Sequence, residues 1–116
     1  MLYETSDWDA IRYEYDAVVA FTATWCQPCK QLKPQFARAS VLDPSRNYYI
    51  VDIDEVHPDV VESFYIRSVP KIFNVSNGEG IQEIGGRTAR DIIKQVTGMY
   101  FQSPPILRIS CSWCMA

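Results

Sequence analysis

The chain has 116 residues, 47% of them hydrophobic and 22% charged, enough for one domain with its own core and too few for two. Eleven basic against fourteen acidic side chains give a net charge of -3, which lacks the positive surface that phosphate binding needs and disfavours nucleic acid as a ligand. No apolar run approaches the roughly 20 residues of a membrane span, and Met1–Asp7 has neither the basic nor the apolar region of a leader, so the expectation is a soluble, unexported, cytoplasmic protein without a membrane partner.

Leu2-Tyr3 suits a brief edge strand. Ser6 and Asp9 fit a capping box, and Trp8, Ile11 and Tyr15 recur at helical spacing, which predicts a short amphipathic helix over 6–15. The continuous apolar stretch Ala17 to Ala23 has no alternation, as expected of a central strand covered on both faces. Cys29, Leu32, Phe36 and Ala39 then repeat at three and four residues, predicting a helix from about 27 to 42 that Asp43-Pro44 ends.

Tyr48 to Ile53 reads as the next strand, and Pro58 opens a helix with Val60, Val61, Phe64 and Tyr65 on one face, broken by Ser68 and Pro70. Lys71–Val75 and Ile81–Ile84 flank a hairpin loop of about five residues, Ser76 to Gly80. Gly85-Gly86 ends the sheet, and Thr88 with Asp91 opens a last helix whose stripe is Ile92, Ile93, Val96 and Tyr100, stopped by Pro104-Pro105. The order βαβαββα demands an α/β fold with a central mixed sheet of four to five strands and helices on both faces. It places a domain over 1–102 and leaves 103–116 as a tail.

All four cysteines fall into two pairs, Cys26/Cys29 and Cys111/Cys114, each with two residues between. In a reducing compartment such spacing signals redox chemistry or metal. Cys26 sits where a buried strand gives way to a helix, so the unpaired amides and dipole of that helix favour a negative charge on its sulfur. A thiolate there can attack a disulfide, and Cys29, one turn further in, can displace the captured partner. Pro28 lacks an amide hydrogen where none is needed and stiffens the bridge that it forms with Gln27.

Trp25-Cys26-Gln27-Pro28-Cys29-Lys30 after a buried strand resembles the active site of the thioredoxins. Pro34 falls where that family kinks its helix, Ile66-Arg67-Ser68-Val69-Pro70 resembles its stretch ending in a cis-proline, Asn77-Gly78-Glu79 its hairpin turn, and Gly85 its glycine beside the site. The resemblance covers about residues 1–102 and implies a thioredoxin-like fold. It implies that Val69 offers its backbone to an extended client, with Trp25, Val69, Pro70 and Gly85 forming a flat contact surface around Cys26.

It further implies a thiol-disulfide oxidoreductase that reduces client proteins through a redox-active Cys26–Cys29 disulfide, with no bound cofactor or metal. Recharging falls to an NADPH-dependent flavoprotein of the thioredoxin reductase kind, ribonucleotide reductase is a candidate client, and the chain is expected to act as a monomer. The family's buried aspartate six residues before the nucleophile is replaced by Ala20, its associated lysine by Ile50, and its common glycine by Gln27, while Lys71 follows Pro70. A binding or scaffold subunit with dispensable thiols is the alternative of another class.

The tail pair lies beyond the resemblance. From Gln102 to Cys111 is nine residues, or about 30 Å if fully extended, comparable with the diameter of a domain this size and so just long enough to reach the first pair. An electron relay, a peripheral disulfide or idle thiols, and a four-cysteine metal site remain as its three readings. His57 reads as a solvated loop residue, Asp52 to Glu55 as a solvated strand end, and Arg87, Arg90 and Lys94 as the wet face of the last helix. Trp8, Tyr15, Phe21, Phe36, Phe64 and Phe73 are assigned to packing.

Overall fold

A computed structural model describes residues 1–102. Five strands, β1 (Leu2–Glu4), β2 (Ala17–Thr22), β3 (Asn47–Asp52), β4 (Lys71–Ser76) and β5 (Glu79–Ile84), form one sheet in the order β1-β3-β2-β4-β5. The first three are parallel, and β4 and β5 run antiparallel to their neighbours. Three α-helices, α1 (Gln27–Leu42), α2 (Pro58–Ser63) and α3 (Ala89–Gln102), complete the fold. The mixed sheet covered on both faces is the architecture that the pattern predicts.

The centre of the sheet explains why its central strand shows no alternation. Every residue of β2 is buried, and its two faces feed two cores. Val18 and Ala20 pack with Leu32, Phe36 and Ala39 of α1 and Ile92 and Val96 of α3. Ala17, Val19 and Phe21 pack on the other face with Ile11, Val60, Phe64 and Phe73, where Phe21, Phe64, Phe73 and Trp8 stack at ring separations of 5.1 to 6.1 Å.

The predicted 6–15 helix does not form. Only a three-residue 3-10 turn, Trp8–Ala10, is present, and its cap is Asp7, which accepts from the Asp9 amide at 3.1 Å. The Ser6 hydroxyl instead donates to Glu55. Ile11 is buried as expected, but Tyr15 is 79% exposed and takes no part in packing. The end of this segment is tied to the sheet instead: the Glu14 carbonyl accepts from the Asn77 amide at 2.8 Å and its carboxylate from Asn47 at 2.9 Å.

Two further expectations are corrected. The five-residue hairpin loop contracts to Asn77-Gly78, whose φ values of 54° and 79° are the left-handed pair that a tight two-residue turn needs. Tyr65, assigned to the apolar face of α2, is 78% exposed with φ 54°. Its amide donates to Glu62 O and the Ile66 amide to Val61 O, which is a Schellman closure, with Tyr65 in the left-handed position that usually holds glycine. Pro104-Pro105 and the Cys111/Cys114 pair lie outside the described residues, as does the side chain of Tyr100.

Candidate active site

Beyond Thr22 the chain leaves the sheet through a turn in which the Cys26 amide donates to Ala23 O at 3.2 Å. Cys26 is the N-cap of α1, with extended backbone (φ -92°, ψ 111°), and Pro28 lies in the first helical turn. Its sulfur takes the place of the usual capping oxygen: the Cys29 amide donates to Cys26 Sγ at 3.2 Å. Cys26 and Cys29 are joined as a disulfide with Cα atoms 5.3 Å apart. Cys26 is 4% and Cys29 0% exposed, and the pair packs with Ala23, Ile53 and Val69 in a small apolar cluster.

The surroundings bring together the other residues singled out in the sequence. The Val69-Pro70 bond is cis, and Val69 O lies 3.6 Å from Cys26 Sγ. Pro70 is buried and Val69 half-buried, whereas Gln27, Pro28 and Gly85 are exposed. Trp25 is 65% exposed, with its indole nitrogen donating to Asp54 at 2.9 Å. A Cβ built on Gly85 would meet only Gln95 Nε2, at 4.0 Å, so nothing within the fold requires a glycine there.

Ala20 and Ile50 are register partners on β2 and β3, and both belong to the core that contains Leu32 and Phe36. The interior at this point is therefore apolar on both strands, and no single charge is left buried without a counterpart. The Lys71 ammonium pairs with Glu83 across the hairpin at 3.1 Å.

Two polar residues of the site were missed in the sequence. Asp54 belongs to the solvated strand end but holds the Trp25 indole. Arg87 is not on the last helix, which begins at Ala89, and its guanidinium donates to the carbonyls of Pro70, Gly85 and Gly86. The signal was present: Thr88 caps the Asp91 amide at 3.1 Å, and a cap at 88 puts residue 87 ahead of the helix. His57 caps α2 by accepting from the Asp59 amide. Among the described residues, no group of three or more His, Cys, Asp or Glu side chains could hold a metal ion, and no helix is long and apolar enough to cross a membrane.

The thioredoxin family model matches residues 3–98. The chain belongs to the thioredoxin family. Thioredoxin-2 of Pyricularia oryzae is 37% identical over 78 residues, covering 67% of this chain and 45% of that protein. Thioredoxin H9 of Arabidopsis thaliana is 34% identical over 87 residues, covering 75% and 61%. This thioredoxin-family chain thus spans about half to three-fifths of the length of these curated relatives. The solution structure of oxidised thioredoxin from Plasmodium falciparum superposes with a TM-score of 0.70 at 27% identity, covering 86% of this chain and 98% of that one.

Within that family frame, the geometry defines what the pair can do. A sulfur at a helix N-terminus that already accepts a backbone N–H is held where negative charge is stabilised, and the second sulfur is close enough to form a disulfide with it.

Proposed function

We propose that the protein is a thiol-disulfide oxidoreductase that reduces disulfides in other proteins, with Cys26 as nucleophile and Cys29 as resolving thiol. The observation that supports this most directly is the Cys29 amide directed at Cys26 Sγ at the start of α1. In the dithiol state the Cys26 thiolate attacks one sulfur of a client disulfide, forming a mixed disulfide and expelling the other client sulfur as thiolate. Cys29, after losing its proton, attacks Cys26 Sγ; the Cys26–Cys29 bond forms, the mixed disulfide breaks, and the second client thiolate leaves. Two electrons pass to the client, and two protons end on its thiols.

The client enters as a short extended strand along Val69, beside Pro70, with Trp25 and Gly85 as the remaining walls. The open space at Gly85 supports this reading, because a side chain there would obstruct a partner rather than the fold. Gln27 and Pro28 hold the bridge. Cys29 is fully buried among apolar groups, and with alanine at position 20 its deprotonation is the pH-sensitive step.

Residues 1–102 form the catalytic domain, and 103–116 a tail carrying Cys111 and Cys114, whose exchange with the first pair is read by disulfide mapping in redox buffers. The protein works as a monomer in the cytoplasm without a bound cofactor. An NADPH-dependent flavoprotein of the thioredoxin reductase kind returns it to the dithiol, and ribonucleotide reductase is among its clients.

The test is reduction of a disulfide-bonded protein by the chemically reduced chain. Stoichiometric release of client thiols by the wild type, with none from Cys26→Ser, is the expected result. No release from the wild type would leave the fold as a scaffold with dispensable thiols, and equal release from both proteins would remove Cys26 as the nucleophile.

A further inference from the structure

We propose that Arg87 is a positioning residue for client docking, its guanidinium tying the cis-proline segment to the Gly85-Gly86 segment so that both sides of the client strip keep one spacing. The proposal rests on the reading that clients are reduced at the Cys26 face.

The β4–β5 ladder reaches Ile72 and Ile84. Continued outward, its register would set Pro70 opposite Gly86, but proline has no N–H to give. Backbone pairing therefore fails at the point where the two segments form the surface beside Cys26. Arg87 donates to Gly86 O in place of the absent proline N–H, and to two further carbonyls. Its Nη2 donates to Pro70 O at 3.4 Å, and its Nη1 to Gly86 O at 3.0 Å and Gly85 O at 3.3 Å.

Each end of this bridge is anchored. On one side Val69 O lies 3.6 Å from Cys26 Sγ. On the other, the Gly85 amide donates to Gln95 of α3 at 2.9 Å, and Gly86 lies so close to α3 that an added Cβ would fall 2.6 Å from Asp91 Cβ. A continuous set of contacts thus runs from the attacking sulfur to the N-terminal part of α3, and within it the exposed Arg87 side chain joins the cis-proline segment to the Gly85-Gly86 segment.

The residue type follows from the geometry. Arginine presents five N–H donors in a planar fork that reaches carbonyls on two separate segments, whereas a lysine ammonium is a single point. Holding two binding walls in place before the partner arrives lowers the ordering cost of association, which acts on client binding and not on bond exchange.

The test compares wild type, Arg87→Gln and Arg87→Lys for KM and kcat with a protein disulfide, alongside the alkylation rate of reduced Cys26. Arg87→Gln is expected to raise KM about tenfold with kcat and the alkylation rate within about twofold of wild type, and Arg87→Lys to restore KM only in part. An unchanged KM in Arg87→Gln overturns the proposal whatever happens to thermal stability, as does a matching fall in kcat and alkylation. Full restoration by lysine also overturns it, since charge alone would then suffice. Failure of the wild type to reduce the client would instead refute the underlying reading, independently of Arg87.

Discussion

The two ends of the strands β2 and β3 are built on opposite principles. At their amino ends, Asp16, Asp43, Arg46 and Tyr48 form a closed charged network: Arg46 bonds Asp16 at 3.1 Å and Asp43 at 3.0 Å, and the Tyr48 hydroxyl donates to Asp43 at 2.9 Å. Asp43 and Arg46 are 7% and 8% exposed. At the carboxyl ends, Cys26 and Cys29 sit in an apolar cluster, and the sulfur is met by a backbone amide instead of a formal charge. The charges at the amino ends are paired with one another, whereas at the cysteine end the helix N-terminus supplies a dipole that favours negative charge on the sulfur.

Cys26→Ser at the reactive end is the variant expected to do most, abolishing client reduction while leaving the unfolding midpoint in urea close to that of wild type. Cys29→Ser should instead accumulate the client as a mixed disulfide on Cys26, visible as a covalent adduct by mass spectrometry. Both substitutions leave the amino-end network untouched, so a large loss of stability from either would blur the division between the ends.

The converse change is Asp43→Ala. It leaves Arg46 buried with one acidic partner fewer and should cost about 3 kcal/mol in urea unfolding, with the alkylation rate of Cys26 unchanged. Burial opposes ionisation of Asp43, but hydrogen bonds from Tyr48, Ser45 and Arg46, aided by the Arg46 charge, outweigh it and hold the carboxyl below its usual value. Its contribution is then present above the unfolded carboxylate value near ~4 and is lost as pH falls through the lower folded value. Asp43→Asn should flatten that acid limb of stability.

Tyr49 titrates in the other direction: burial and then the Glu14 charge push its phenol up to about 12. The unfolded chain gives up this proton near ~10, so stability should fall as pH rises from there through the folded value. Tyr49→Phe should reduce the slope of that alkaline limb in a pH series of urea melts.

The smallest expected effect is that of Gly85→Val. Its side chain enters open space, so the urea midpoint should hardly move, while KM for a protein client rises about threefold. A shift in stability with KM unchanged would place the need for glycine inside the fold.

What was legible in the sequence followed local chemistry. Six consecutive buried residues announce β2 because a strand covered on both faces has no polar face to show. Pro28 and Asp43-Pro44 bracket α1 because proline suits a helix start and the residue before a proline resists continuing one. The cysteine pair was legible for the same reason, being set by that helix start.

The errors arose where distant partners decide. The helical spacing of Trp8, Ile11 and Tyr15 persists for one turn only, and Glu14 is held by Asn77 and Asn47, partners that spacing does not show. Tyr65 closes α2 in a conformation that its side chain alone would not suggest. Arg87 spaces correctly for a helix face, yet it spans two backbone segments whose approach only the folded sheet creates.

The order in which the two sulfurs ionise decides the mechanism. Reduced protein alkylated with iodoacetamide across a pH series, with peptide mass spectrometry to separate the sites, reads this directly. Cys26 should react well ahead of Cys29, with a midpoint below the roughly 8.5 of a free thiol. Reaction first at Cys29, or a Cys26 midpoint at or above that of free cysteine, would contradict the proposed mechanism.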